Sequence, residues 1–165
     1  MKKIISLIIV LAIALSVCTF ASAEEKKKDM EISYSTSEGY VLTIPANTSF
    51  STAGSVSGSV KLENVLLTSG KEIAVKMSSA NNFNLKCEGS SIAYSVTEGE
   101  KTLANNVAVL IVQAGATSGS STLSFTTTKA NIDKATLAGE HKDTLSFEVG
   151  YAAIGTYESG TAKGM

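Results

Sequence analysis

The side chains of this sequence best suited to chemistry are one histidine, two cysteines and a scatter of carboxylates. His141 is the only His, and Asp143 follows it by two positions. With one of the many Ser residues they would make a Ser-His-Asp set. In such a set the imidazole takes the hydroxyl proton and the carboxylate orients the ring. No nucleophile elbow of the G-x-S-x-G kind accompanies them, so His141 reads as a solvated residue of a turn. Cys87 is in phase with Phe83 and Leu85 on an alternating stretch and reads as a small core residue. A Cys87–His141 couple then has no accessible thiol. One His and one Cys do not make a zinc set. Glu98 and Glu100 with Asn105 or Asn106 are the nearest approach to a calcium loop, and they read as a solvated acidic turn. Ser55-Val56-Ser57-Gly58-Ser59 is Gly-containing but lacks the Lys and the helix of a phosphate loop. The expectation is no catalytic, cofactor or metal residue.

Carbohydrate binding is the more serious ligand chemistry, because sugar rings stack on exposed aromatic faces. The chain has no Trp. Tyr34, Tyr40, Tyr94 and Tyr151 all fall in phase with apolar neighbours, which predicts core or edge packing. Tyr157, near the C-terminus, stands outside that pattern and is the candidate ligand-contact aromatic.

The elements that would position these residues are strands. Tyr40, Leu42 and Ile44 alternate with polar or smaller neighbours until Pro45, which cannot donate to a ladder. Residues 46–59 are small and polar and read as a long surface segment. Strands then begin at Val60, at Ile73-x-Val75-x-Met77, at Phe83, at Ile92-x-Tyr94-x-Val96, at Leu123-x-Phe125 and at Leu145-x-Phe147-x-Val149-x-Tyr151. Val107 to Val112 is a nearly unbroken apolar run, which suits a central strand covered on both faces. Residues 129–138 carry a looser pattern, a helical turn or a crossing between sheets. Met30, Ile32 and Tyr34 also alternate, with Glu31 and Ser33 between them. They are the candidate strand-exchange segment: paired with the sheet edge of another copy, they would give backbone bonds for affinity and alternate side chains for specificity. The competing reading has this strand closing the chain's own sheet.

The N-terminus says where these elements operate. Lys2 and Lys3 precede an apolar run from Ile4 to Val17, followed by Ala21-Ser22-Ala23 and the polar Glu24-Glu25-Lys26-Lys27-Lys28. That order is a secretory signal peptide with cleavage after Ala23. The run is too short for a bilayer span. A lipoprotein signal using Cys18 fits less well, since Val17 replaces the small residue expected before the Cys. Cleavage leaves Cys87 as the only thiol, so no intramolecular disulfide forms. All 14 basic residues are Lys; losing Lys2 and Lys3 against 15 acidic residues moves the formal charge from −1 to −3. An acidic, Arg-free chain argues against nucleic-acid partners, whose recognition favours the Arg fork.

Two stretches carry a resemblance. Tyr40-Val41-Leu42-Thr43-Ile44-Pro45-Ala46 and Ala138-Gly139-Glu140-His141-Lys142-Asp143-Thr144-Leu145-Ser146-Phe147-Glu148-Val149 resemble the opening and closing strands of small secreted β-sandwich surface proteins of Gram-positive gut Firmicutes. The closing strand is also similar to spore coat protein U and related fimbrial domains. His141 stands where an aromatic is usual in the first group. The resemblance implies an immunoglobulin-like sandwich with a surface or matrix structural role and no reaction.

The sequence therefore predicts an all-β protein: an immunoglobulin-like antiparallel sandwich of about eight or nine strands over residues 30–152. Residues 1–23 are the signal peptide, 24–29 a charged flexible leader and 153–165 a loose tail. The expected function is that of a secreted, noncatalytic structural or adhesive protein of the cell surface or matrix, fimbrial-like in kind. Its expected partners are other copies or other surface proteins. The alternative is a glycan-binding module. No membrane span is expected after cleavage.

Overall fold

The computed structural model describes residues 31–164. The expected signal peptide, the leader and Met30 lie outside the described residues. The chain divides into two units, residues 1–35 and residues 36–165. In the first, residues 31–35 carry no strand, and Ile32 and Tyr34 are 84% and 91% exposed. The strand expected over Met30, Ile32 and Tyr34 is thus absent at the two described positions. An alternating stretch becomes a strand only where a ladder partner satisfies its backbone, and no partner pairs with residues 31–35 among the described residues.

The second unit is an all-β antiparallel sandwich. Its strands are β1 (Gly39–Thr43), β2 (Gly54–Leu66), β3 (Lys71–Ser79), β4 (Asn84–Cys87), β5 (Ser90–Ala93), β6 (Ser95–Glu98), β7 (Lys101–Thr102), β8 (Val107–Gln113), β9 (Gly119–Thr127) and β10 (Leu145–Ala153). One sheet has the order β1-β2-β9-β6-β7, the other β10-β3-β8, and β4 and β5 form a separate hairpin. A single helical turn, α1 (Lys129–Ile132), fills the crossing expected over 129–138. Thr128 caps it, its side chain accepting from the Asn131 amide.

Alternation decides the core. Val60 and Leu62 of β2, Leu123 and Phe125 of β9 and Val96 of β6 meet Ile73, Val75 and Met77 of β3 and Leu110 and Val112 of β8 in one buried cluster. Residues 54–59, expected in a surface segment, belong to β2 and pair in register with β9 from Gly54↔Thr127 onward. Their small side chains are what the site demands. Ser55 Oγ lies 2.6 Å from Ser124 Oγ across the ladder, and any Cβ at Gly58 would come 2.5 Å from Pro45 Cβ.

Sheet β10-β3-β8 is covered on its second face as well. Glu72 and Ala74, which alternate with Ile73, Val75 and Met77 and so fall on the face away from the core, are 1% and 0% exposed. The cause is the C-terminal segment expected to be loose. The Tyr157 amide donates to Glu72 Oε1 at 2.8 Å, the Ala108 amide donates to the Thr161 carbonyl at 3.2 Å, and Lys101 Nζ donates to the Ser159 carbonyl at 2.7 Å. The segment also explains β8, which is buried on both faces as its apolar run predicts but is not central. It is an edge strand, bridged at Ala108 by Ser159.

Candidate functional site

On one flank of the sandwich, β1 and β10 each pair on one side only. Among the described residues, no strand pairs with their outer edges. The two strands approach each other there: the rings of Tyr40 and Tyr151 meet edge to face with centroids 5.7 Å apart. Both are partly exposed and sit at the strand edge, as their phase predicts. Burial, with Tyr40 and Glu38 nearby, pushes the Tyr151 hydroxyl above its ordinary pKa.

A groove of about 790 Å³ opens beside β10. Its apolar lining comes from Leu85, Ile92, Tyr94, Phe125, Leu145 and Phe147. Residues 44–52, which join β1 to β2, and residues 139–144, which lead into β10, line the rest. The backbone of β10 has a matching bias. The Ala80 amide donates to the Thr144 carbonyl and the Ile154 amide to the Gly70 carbonyl, so the even-numbered residues bond toward β3. In an antiparallel ladder bonded positions alternate. The N–H and C=O of Leu145, Phe147, Val149 and Tyr151 therefore point to the open edge. Leu145, Phe147 and Val149 also turn their side chains to the core and are only half-buried. One set of residues thus offers both unpaired backbone and uncovered apolar surface.

The polar end of the groove is held by Asp143. Its Oδ2 accepts from Ser79 Oγ at 2.6 Å and from the Tyr94 hydroxyl at 2.7 Å; its Oδ1 accepts from the amides of Asn81 at 3.0 Å and Thr144 at 2.7 Å. Ser79 Oγ accepts in turn from the Phe83 amide at 2.7 Å. Asn105 grips both backbone groups of Ser79, accepting from its amide at 2.7 Å and donating to its carbonyl at 3.0 Å. Burial, then the Asp143 carboxylate, pushes the Tyr94 hydroxyl far above its usual pKa, so it stays a donor. The network also holds Phe83 at φ 59°, a left-handed conformation that a bulky residue rarely adopts. The ring of Phe83 packs edge-on against Tyr94 at 5.7 Å.

His141 is not the solvated residue expected. Its Nδ1 lies 3.2 Å from the Gly139 carbonyl and its Nε2 2.9 Å from Ser90 Oγ. A carbonyl only accepts, so Nδ1 carries the proton, and in the neutral ring Nε2 accepts the Ser90 hydroxyl. Ser90 Oγ also accepts from the Thr136 amide at 2.9 Å. A hydroxyl–imidazole pair is the kernel of nucleophilic catalysis. Here Ser90 is 2% exposed, and Asp143, the third member in the sequence reading, is committed to Tyr94 and Ser79. The pair acts as a latch that fastens residues 136–141 to β5.

The remaining candidates disperse. Cys87 is half-buried on the hairpin and outside the core cluster, its sulfur against Gly139, because β4 pairs with β5 and joins neither main sheet. Glu98 takes the hydroxyls of Ser121 and Ser159, while Asn105 holds Ser79, so these two candidates serve different partners. No group of three or more His, Cys, Asp or Glu among the described residues is placed to hold a metal. Tyr157 is half-buried and laid on β10, where its hydroxyl would clash with any Cβ at Gly150. The Asp143 network and the β10 edge are what sequence reading missed. The signal was there in part: Asp143 stands two residues before the clearest strand of the chain.

No protein-family model matches the chain, and no curated protein matches it. Among solved structures, the P pilus rod subunit PapA is similar at TM-score 0.42 and 12% identity, over 78% of this chain and 96% of that one. No helix among the described residues is long and apolar enough to cross a membrane.

Proposed function

We propose that the protein is a secreted, noncatalytic structural subunit of the cell surface or extracellular matrix, which assembles with further copies by strand addition in a fimbrial-like manner. The observation that carries this reading is the β10 edge, where unpaired backbone and half-covered Leu145, Phe147 and Val149 lie together beside the groove. An exposed edge of this kind is a template for another strand.

The occupant is the segment Met30–Tyr34 of another copy. Its apolar residues recur with period two, so all three side chains face one way once it pairs. Ile32 and Tyr34 are exposed and unpaired among the described residues, and are therefore available to a partner. Strand addition joins backbone bonds along β10 to apolar side chains over the groove. A glycan-binding role needs a flat exposed aromatic platform. Tyr40 and Tyr151 instead meet at 60°, and Tyr157 is packed on β10.

Light scattering behind size exclusion on the exported chain tests the proposal, alongside an Ile32→Lys, Tyr34→Lys variant. Oligomers in the parent that dissolve in the variant are expected. A monomer at every concentration of the parent overturns it, as do oligomers of unchanged size in a variant that circular dichroism shows to be folded.

A further inference from the structure

One wall of the groove is a segment of the chain that no strand holds. Between β1 and β2, residues 44–53 form no backbone–backbone hydrogen bond with any described residue. All of that stretch is exposed except Pro45 and Phe50, which are half-buried. Pro45 sits against Gly58, and Phe50 packs on the core with its ring 6.3 Å from Tyr94. Phe50 is the only large apolar side chain between Pro45 and Val56. A further void of about 120 Å³ lies along residues 49–56, so the segment is loosely seated.

We propose that residues 46–52 are a displaceable plug: Phe50 fills the seat against Tyr94 that an apolar side chain of an incoming strand takes, and the segment swings out as that strand adds. The inference rests on the strand-addition reading and supplies its restraint. Bare apolar surface would be adhesive in a free subunit, and the Phe50 ring covers the part of the groove wall next to Tyr94. The ring leaves readily because no ladder holds its backbone, whereas Tyr94, on which it packs, is fixed by its hydroxyl bond to Asp143. Ala46-Asn47-Thr48-Ser49 and Ser51-Thr52-Ala53 offer water nothing apolar to avoid when the segment is out.

The probe is a fluorescent peptide of residues 28–36, titrated into the full exported chain. Anisotropy reads binding. Because the chain has no Trp, a Phe50→Trp variant gives a single reporter of the seat. The expected result is a red shift of the introduced indole that tracks peptide saturation, with Phe50→Ala binding the peptide about tenfold tighter, since the blocked fraction no longer dilutes the affinity. Peptide that binds the Phe50→Trp chain without moving its emission overturns the plug and leaves strand addition standing. Peptide that binds neither the parent nor Phe50→Ala overturns both.

Discussion

Glu72 shows how much one side chain can decide. It is buried on a face that alternation assigns to water, and burial by itself would raise its pKa. Amides of Tyr157, Gly155 and Thr156 and the Gln113 side chain more than offset that, so the carboxyl ends below its ordinary value. A carboxylate with a depressed folded pKa contributes stability that is present above the unfolded value of about 4.3 and lost as pH falls through the folded pKa. Glu72→Gln is expected to cost about 1–3 kcal/mol at neutral pH and to flatten the acid limb of the stability curve. Urea midpoints of parent and variant across the acid range check it; parallel curves would show that Glu72 is not the group. Asp143 makes the same point from the other side. Its chemistry was legible, but its partners were not, because Ser79 and Tyr94 lie 64 and 49 residues away.

At the level of elements, the C-terminal segment departs furthest from its sequence. Residues 154–161 are Gly-rich and lack alternation, which reads as loose. They are held instead by backbone bonds to Ala108, by Glu72 and by the side chains of Lys101 and Glu98, none of which leaves a periodic signature. The segment guards the outer edge of β8, as natural sheets must guard an edge they do not use. Truncation after Ile154 is expected to cost about 1–3 kcal/mol, because it removes the hydrogen bonds that Tyr157, Ser159 and Thr161 make with Glu72, Lys101 and Ala108, and to expose a further pairing edge. Thermal melts and light scattering of the truncated chain read the two effects; a melt within a degree or two of the parent would count against the guard. Strands whose apolar residues alternate strictly, β3 and β10, were legible in place, and β9 only from Leu123. β2 was legible only from Val60 on, since Ser and Gly carry no hydrophobic phase.

For the whole molecule, the proposed strand addition would make stability a property of concentration. Association that favours the folded state raises Tm with protein concentration. Melts over a hundredfold range of concentration are expected to climb in the parent and stay level in the Ile32→Lys, Tyr34→Lys variant; a level parent would speak against assembly. The sequence by itself determined the all-β class, the inward stripes and the position of most turns, because period-two alternation and Gly, Pro or Asn breaks are local properties of the chain. Tertiary structure alone decided which edges are closed and which is open. Sheet order, the path of residues 154–161 over β3 and β8, and the seat of Phe50 against Tyr94 depend on pairings between residues tens of positions apart. No local periodicity encodes such pairings, so the groove beside β10 exists only once the sheets have met.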